Sequence, residues 1–448
     1  MDDISASYDV NDVTIFSVIS NVTTTASAAR RYVDPSYSRL RTAVNTLLPI
    51  IFGAGVAGNA LNAVLLTRRR AASSGDGSGS RGGGRPTAFE RSATAGLVAL
   101  SASDFLFCLV GFAEVLFAGS LQRGSWRAVA RLYYDTYYVA LMNLFLFSST
   151  WLIALVSVER CLAVCYPFRA SALIRVRRTV AAHVVVFAVS GLLNVPLFLR
   201  STIDCSAICR GGGHPVNRTN STAPATNDDS SCALIYYARP SSLSVSRPGF
   251  LYVHKVVWFT LGTFLPLLLI VYSNVRLIRE ICRMRAKSSA AGVGVASSTS
   301  RSASKASLGV DREKSSTVTL TLTLIAIGVC FLLLVCPSMA IQFWRFASYS
   351  SYGGDRGPPS SSSSAGRAEA TAILVTNLTQ AVKFSSNFLL YCVVSRSFRR
   401  TFGKLFRTRR CAGDGNGCAD DNRVMAGRDC NDALIGPSPA ENAANTGL

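Results

Sequence analysis

The chain is predicted to be an all-α membrane protein: a seven-helix transmembrane bundle followed by a short amphipathic helix. Three observations predict it. Seven apolar stretches are each long enough to cross a bilayer, near residues 44–67, 94–118, 132–158, 179–199, 250–275, 317–346 and 369–394. A helix needs about 20 mostly apolar residues to span the hydrocarbon core. Composition agrees, with 49% hydrophobic residues, 16% charged residues and a mean hydropathy of +0.30. Lysine and arginine fall mainly between the stretches. A net charge of +21 in a soluble protein would suggest a nucleic-acid partner, but here the basic residues flank membrane spans, and no nucleic acid is expected.

Only helices and closed barrels satisfy their backbone groups in lipid. Barrel strands would be alternating segments of about ten residues, and these stretches are long and continuously apolar. The loops then divide into two sides. One carries 28 Lys and Arg, the other 16. The positive-inside rule puts the richer side in the cytoplasm. The expectation is an extracellular tail over 1–43, a bundle over 44–394 with long first and third cytoplasmic loops, and a cytoplasmic helix and tail over 395–448. No signal peptide is visible in the polar residues 1–43, so the first span is expected to act as its own insertion signal.

The sequons agree in sidedness. Asn21, Asn217 and Asn220 each start an Asn-x-Ser/Thr triplet on the expected outside. Asn377 also starts one, but it lies inside the seventh stretch. Segments 71–85, 288–308 and 353–366 are rich in Gly, Ser, Ala or Pro and read as linkers. Of the thirteen cysteines, only Cys205, Cys209 and Cys232 are expected outside. At most one bridge can form among them, Cys232 with Cys205 or with Cys209. The three histidines are scattered and suggest no metal site. No cofactor is expected. No nucleophile–base pair or phosphate loop appears, so an enzyme is not expected. The basic stretch 398–410 reads as a helix lying on the inner membrane surface, with Cys411 and Cys418 after it as possible acylation points.

Ionisable residues inside spans are costly in lipid and default to function. Asp104 in the second stretch and Lys383 in the seventh are such residues. Asn59 and Asn387 can hydrogen-bond across helices. Pro266 and Pro337 each remove a backbone hydrogen bond and should kink their helices. Glu159-Arg160-Cys161 closes the third stretch.

Taken in order, Gly58-Asn59, Leu100-Ser101-Ala102-Ser103-Asp104, Glu159-Arg160-Cys161, Pro266, Phe331 with Pro337, and Asn387-Phe388-Leu389-Leu390-Tyr391 resemble the rhodopsin-like G-protein-coupled receptors. Further details resemble the FMRFamide-receptor branch of peptide receptors. These are Trp151 followed by Val158 to Pro167, Asn194-Val195-Pro196, Leu265-Pro266 with Asn274, and Ser385-Ser386 before the Asn387 motif.

The resemblance implies a plasma-membrane receptor with its N-terminus outside, an extracellular peptide ligand, and a heterotrimeric G protein as partner. It implies that Arg160, next to Glu159, is released on activation to meet the G protein. Pro337, Asn387 and Tyr391 would serve the switching motion. With helical register, it places Glu114, Tyr138, Met142, Gln342 and Asn377 around an outward ligand cavity. Glu114 would suit a cationic group near a peptide's end.

The resemblance also implies a sodium ion beside the buried span-two acid, with Ser149 and Asn387 among its oxygens. Lys383 stands where an asparagine is usual, one turn before Asn387 and on its face. A carboxylate and an ammonium buried together need no outside ion, so Lys383 is expected as an internal counterion of Asp104.

Several positions depart from the pattern. The span-seven asparagine-proline step is Asn387-Phe388. The span-six tryptophan is Val335, and the span-four tryptophan is missing. Asp135 replaces the cysteine that tops span three, so the common bridge to the second extracellular loop cannot form. Thr317 stands where span six would carry an acid facing Arg160. An opsin reading is poor, since Lys383 lies two residues from the retinal position at Ala381. The alternative from another class is an ion-coupled transporter using Asp104 and Lys383. It gives no role to Glu159-Arg160 or to 398–410. A non-peptide receptor of the same fold is the other alternative.

Overall fold

The computed structural model describes residues 35–75, 88–118, 126–209, 232–292, 304–351, 364–395, 398–399 and 401–403. The sequons at Asn21, Asn217 and Asn220, the middle of each expected linker, and Cys411 and Cys418 lie outside the described residues; the linker ends 71–75, 288–292, 304–308 and 364–366 are helical, continuing the spans beside them. Seven long helices carry the seven stretches. Span one is α1 (Pro35–Gly75), span two α2 (Ala88–Ala118) and span three α3 (Trp126–Cys165). The short α4 (Pro167–Leu173) leads to span four, α5 (Val176–Phe198). Strands β1 (Ser201–Cys209) and β2 (Cys232–Pro240) form an antiparallel hairpin. The short α6 (Ser242–Ser246) then precedes span five, which comprises α7 (Pro248–Phe259), a π-helical turn (Thr260–Phe264) and α8 (Leu265–Gly292). Span six is α9 (Ser304–Ser351) and span seven α10 (Ser364–Val394). Residues up to Phe398 form one compact unit and those from Arg399 a second. In the second, residues 399 and 401–403 are helical.

Six of these helices are long and apolar enough to cross a membrane among the described residues. The seventh, α10, is as long but more polar. One face of it carries Asn377, Gln380, Lys383 and Asn387, each at most 1% exposed. The polarity that interrupts its apolar run is turned inward. The reverse holds outside, where Leu192, Phe264, Leu333 and Val393 are exposed. Apolar side chains out and polar ones in is the pattern of a bundle dissolved in hydrocarbon, where helices associate through packing and interhelical hydrogen bonds.

Span three is the axle. It packs against spans two, four, five and six, and two thirds of its most apolar window (67%) is buried, against 17% for span four. Span one packs on two and seven, and seven packs on six. Close approach depends on small residues. A Cβ on Gly262 would meet the Phe147 ring at 2.4 Å, and one on Gly55 would meet Cys108 Sγ and Ser385 Oγ at 2.5 Å. Polar side chains cap backbone carbonyls across the bundle. Asn59 Nδ2 donates to Phe384 O at 2.8 Å, Ser385 Oγ to Ile51 O at 2.8 Å, and Ser103 Oγ to Phe145 O at 3.0 Å.

The two proline sites have distinct solutions. Pro266 has no N–H, so the ladder before it is short of a donor. The Leu265 N–H reaches back five residues to Thr260 O, closing the π-helical turn. Leu261 O is thereby passed over, and Trp151 Nε1 of span three donates to it at 2.9 Å. Pro337 lies within the continuous helix of span six. Thr379 Oγ1 of span seven shares its hydrogen between Thr376 O of its own helix at 2.9 Å and Leu334 O at 3.0 Å, the latter one residue from the carbonyl that Pro337 leaves without its usual donor.

The hairpin is the departure from an all-helical chain. Its register sets Cys209 across from Cys232 and Cys205 across from Tyr236. Cys205 is an exposed free thiol. Of the two bridges the sequence leaves open, the one to Cys205 does not fit this pairing. Asp135, standing in the place of a cysteine, forms an ion pair with Arg131 one turn away at 2.8 Å.

Trp151→Phe keeps an aromatic ring, though a smaller one, and removes the donor to Leu261 O. An orphaned carbonyl costs about 1–3 kcal/mol, so thermal unfolding in detergent should shift down by several degrees. An unchanged midpoint would mean that the Leu261 carbonyl finds another donor.

Candidate functional site

The buried centre of the bundle is built from spans two, three and seven. Asp104 is fully buried. Ser149 Oγ donates to Asp104 Oδ1 at 2.6 Å. Lys383 Nζ lies 3.3 Å from both Asp104 oxygens and donates to Ser149 Oγ at 2.9 Å. Asn387 Nδ2 donates to Asp104 Oδ2. Lys383 is 1% exposed, and its ammonium sits over the Phe384 ring, 3.8 Å from the centroid. Phe384 stacks on Phe107 with centroids 3.7 Å apart, closing that side with aromatic carbon. Phe331 of span six faces the ammonium from 5.8 Å. A lone buried charge of either sign is very costly, while the pair with its extra hydrogen bonds is tolerable.

Span seven continues this polar face in both directions. Gln380, one turn from Lys383, is fully buried and has no protein partner for either amide atom. Sequence reading missed it. The available signal was its spacing, three residues from Asn377 and three from Lys383. Tyr391, four residues past Asn387, is buried with its hydroxyl unpartnered and its ring stacked on Phe398. Asn59 belongs to the glue between spans one and seven rather than to the Asp104 cluster.

The residues assigned to a ligand cavity are spread over spans three, six and seven. Tyr138 and Met142 are buried on span three, and Tyr138 stacks on Tyr134 at 5.4 Å. Asn377 is buried on span seven. Gln342 Nε2 donates to Ser338 Oγ on its own helix at 3.3 Å. The side chain of Glu114 lies outside the described residues. Where the resembled receptors carry a span-six tryptophan, Val335 forms part of the wall of an apolar cavity of about 500 Å³, with Thr263, Phe264, Phe331, Met339 and Phe343.

At the other end of span three, Glu159 and Arg160 do not bond each other. Thr179 Oγ1 donates to Glu159 Oε1 and Ser92 Oγ to Glu159 Oε2, both at 2.9 Å, tying spans two, three and four. Arg160 is 3% exposed and donates to Phe89 O of span two at 2.6 Å. The side chain of Thr317 lies outside the described residues. Beside this end, α4 presents Phe168, which is 92% exposed. Tyr166 accepts a hydrogen bond from Arg276 of span five at 2.9 Å.

Seven spanning helices, a buried acid on span two, a buried arginine ending span three and a proline in each of spans five and six define the architecture. The family model of the seven-transmembrane receptors of the rhodopsin family matches residues 89–391, more than half of the chain. The chain belongs to that family. It is a multi-pass membrane receptor of the G-protein-coupled class rather than an enzyme, and the transporter reading is not favoured. Span one precedes the matched region, yet the receptor packs it against spans two and seven. No curated protein matches the chain.

Asp104→Asn and Lys383→Met each strand one buried charge. Each should cost about 3–5 kcal/mol of stability. The double variant removes both charges and should recover most of that loss. Midpoints from thermal unfolding check this, and additive losses in the double variant would mean that the two groups are not energetically paired.

Proposed function

We propose that this receptor sits in the plasma membrane with its N-terminus outside, binds a short amidated peptide of the FMRFamide type, and activates a heterotrimeric G protein by outward movement of span six. The observation that carries the G-protein part is the buried end of span three. Arg160 is buried, donates to one backbone carbonyl of span two and is attracted by the carboxylates of Glu90 and Glu159, the latter hydrogen-bonded to Ser92 and Thr179. The hydrogen bond is worth about 1.5–3 kcal/mol when charge-assisted, and release also draws the guanidinium away from those two carboxylates. The exposed Phe168 ring beside it supplies an apolar contact of the kind that anchors interfaces. The Lys and Arg excess on that side supports its placement in the cytoplasm.

On the opposite side, 1–43 serves as an extracellular tail, with glycans on Asn21, Asn217 and Asn220. The hairpin would be closed by a bridge between Cys209 and Cys232, which its register sets opposite each other. Peptide binding then shifts an existing equilibrium between bundle arrangements toward the state that admits the G protein. The peptide class rests on the sequence resemblance. A screen of amidated peptides on cells carrying the full chain, read by calcium and cyclic AMP together, tests it directly.

Two variants probe the ends of the bundle. Arg160→Ala should abolish agonist-stimulated nucleotide exchange and leave agonist binding largely intact. Wild-type exchange at equal surface expression would remove Arg160 from coupling. Glu114→Gln should weaken peptides ending in arginine-phenylalanine-amide by about ten- to a hundred-fold, the loss of one charge-assisted pair. An unchanged dissociation constant would take Glu114 out of the pocket.

A further inference from the structure

The resemblance implies a sodium ion beside Asp104, and the residues present do not fit one. A small cation needs a cage of uncommitted oxygens with net negative charge. Asp104 and Ser149 supply the oxygens here, and Lys383 Nζ already engages all three of them, at 3.3, 3.3 and 2.9 Å. An ammonium has three N–H donors, which matches that number. Ser149 spends its own hydrogen on Asp104 Oδ1, and Asn387 turns its amide N–H to Asp104 Oδ2. The other groups near the pair include the Cys108 thiol, the Tyr391 hydroxyl and aromatic rings. Phe384 covers the ammonium at 3.8 Å and is itself backed by Phe107. The centre is electrically neutral as it stands, and a second cation would face the ammonium across the same carboxylate.

We propose that Lys383 is the resident cation of this core, that the chain binds no sodium there, and that removing the lysine converts the centre into a sodium site. Lys383→Asn would leave a buried anion with the Ser149 hydroxyl and two amide oxygens within reach, a set suited to a hard monovalent cation. A lysine differs from an ion in one respect: it is tethered to span seven and cannot leave. On the receptor reading above, the balance between resting and active arrangements is then set without regard to external sodium. Phe331 of span six, facing the ammonium from 5.8 Å, gives the fixed charge a contact with the helix that moves.

The test needs no agonist, so it can fail independently of the proposed ligand and coupling. The full chain in phosphatidylcholine nanodiscs is unfolded thermally in sodium chloride and in choline chloride, both at ~150 mM to hold screening equal. The wild-type midpoint should be the same in the two salts. Lys383→Asn should start lower and rise by about 2–4 °C in sodium over choline. Lys383→Gln serves as a second variant with a longer amide. Adding Asp104→Asn to either should erase the sodium effect. Sodium-23 line broadening should follow the same order, being absent in the wild type and present in the lysine variants. A sodium-specific rise in the wild-type midpoint that Asp104→Asn removes would overturn the proposal. So would a folded Lys383→Asn or Lys383→Gln receptor that is indifferent to sodium.

Discussion

The Asp104–Lys383 ion pair is the constraint around which the bundle is arranged. Two charges taken out of water cost several kcal/mol each, and only their mutual attraction and full hydrogen bonding offset that. The geometry required is specific: span seven must present Lys383 to span two, and span three must place Ser149 between them. Asn387 on the same face of span seven completes the coordination of the carboxylate. Once these four residues are satisfied, the rotation of spans two, three and seven about their axes is fixed. Close packing at Gly55 then sets the separation of span one from spans two and seven.

Lipid explains why such a core works at all. Apolar burial gives no advantage to helix association in hydrocarbon, so hydrogen bonds and close packing decide it. The bundle uses side chains to serve backbone carbonyls wherever the ladder is interrupted or helices cross. Trp151 does this at the π-helical turn created by Pro266, and Thr379 does it near Pro337. Both prolines thus weaken a helix internally while tying it to a neighbour. A helix weakened in this way can bend about the tie; spans five and six are so equipped, and span four carries Pro196 with His254 Nε2 of span five against Leu193 O at 2.7 Å.

The two ends of span three differ in how firmly they are held. Near the hairpin, Tyr134 donates to Val110 O and Asp135 pairs with Arg131 on its own helix. At the far end, Glu159 has two hydroxyl partners and Arg160 one carbonyl. The acid ties three helices through hydroxyls, while the arginine beside it bonds a carbonyl of span two and feels the Glu90 and Glu159 carboxylates. Adjacent residues of opposite charge therefore do different jobs, although in sequence they read as one charged pair.

The sequence by itself determined the class, the number of spans and the residues that matter most at the centre. Lipid imposes long apolar stretches, and an ionisable residue inside one is rare enough to stand out, so Asp104 and Lys383 were legible without coordinates. Helical periodicity placed Lys383 and Asn387 on one face, while Ser149 entered only through the receptor resemblance. Tertiary structure alone decided where the remaining polar groups went. Glu159 turned away from its neighbour because Ser92 and Thr179, 67 and 20 residues off in sequence, offered hydroxyls. Arg160 found Phe89 O for the same reason, since which carbonyl lies within reach depends on how span two crosses span three. The β-hairpin was invisible because its two nine-residue strands are partly polar, and pairing across a long connection leaves no local periodic mark. Gln380 was passed over because an uncharged amide in an apolar stretch is unremarkable until its burial on the face of Lys383 is seen.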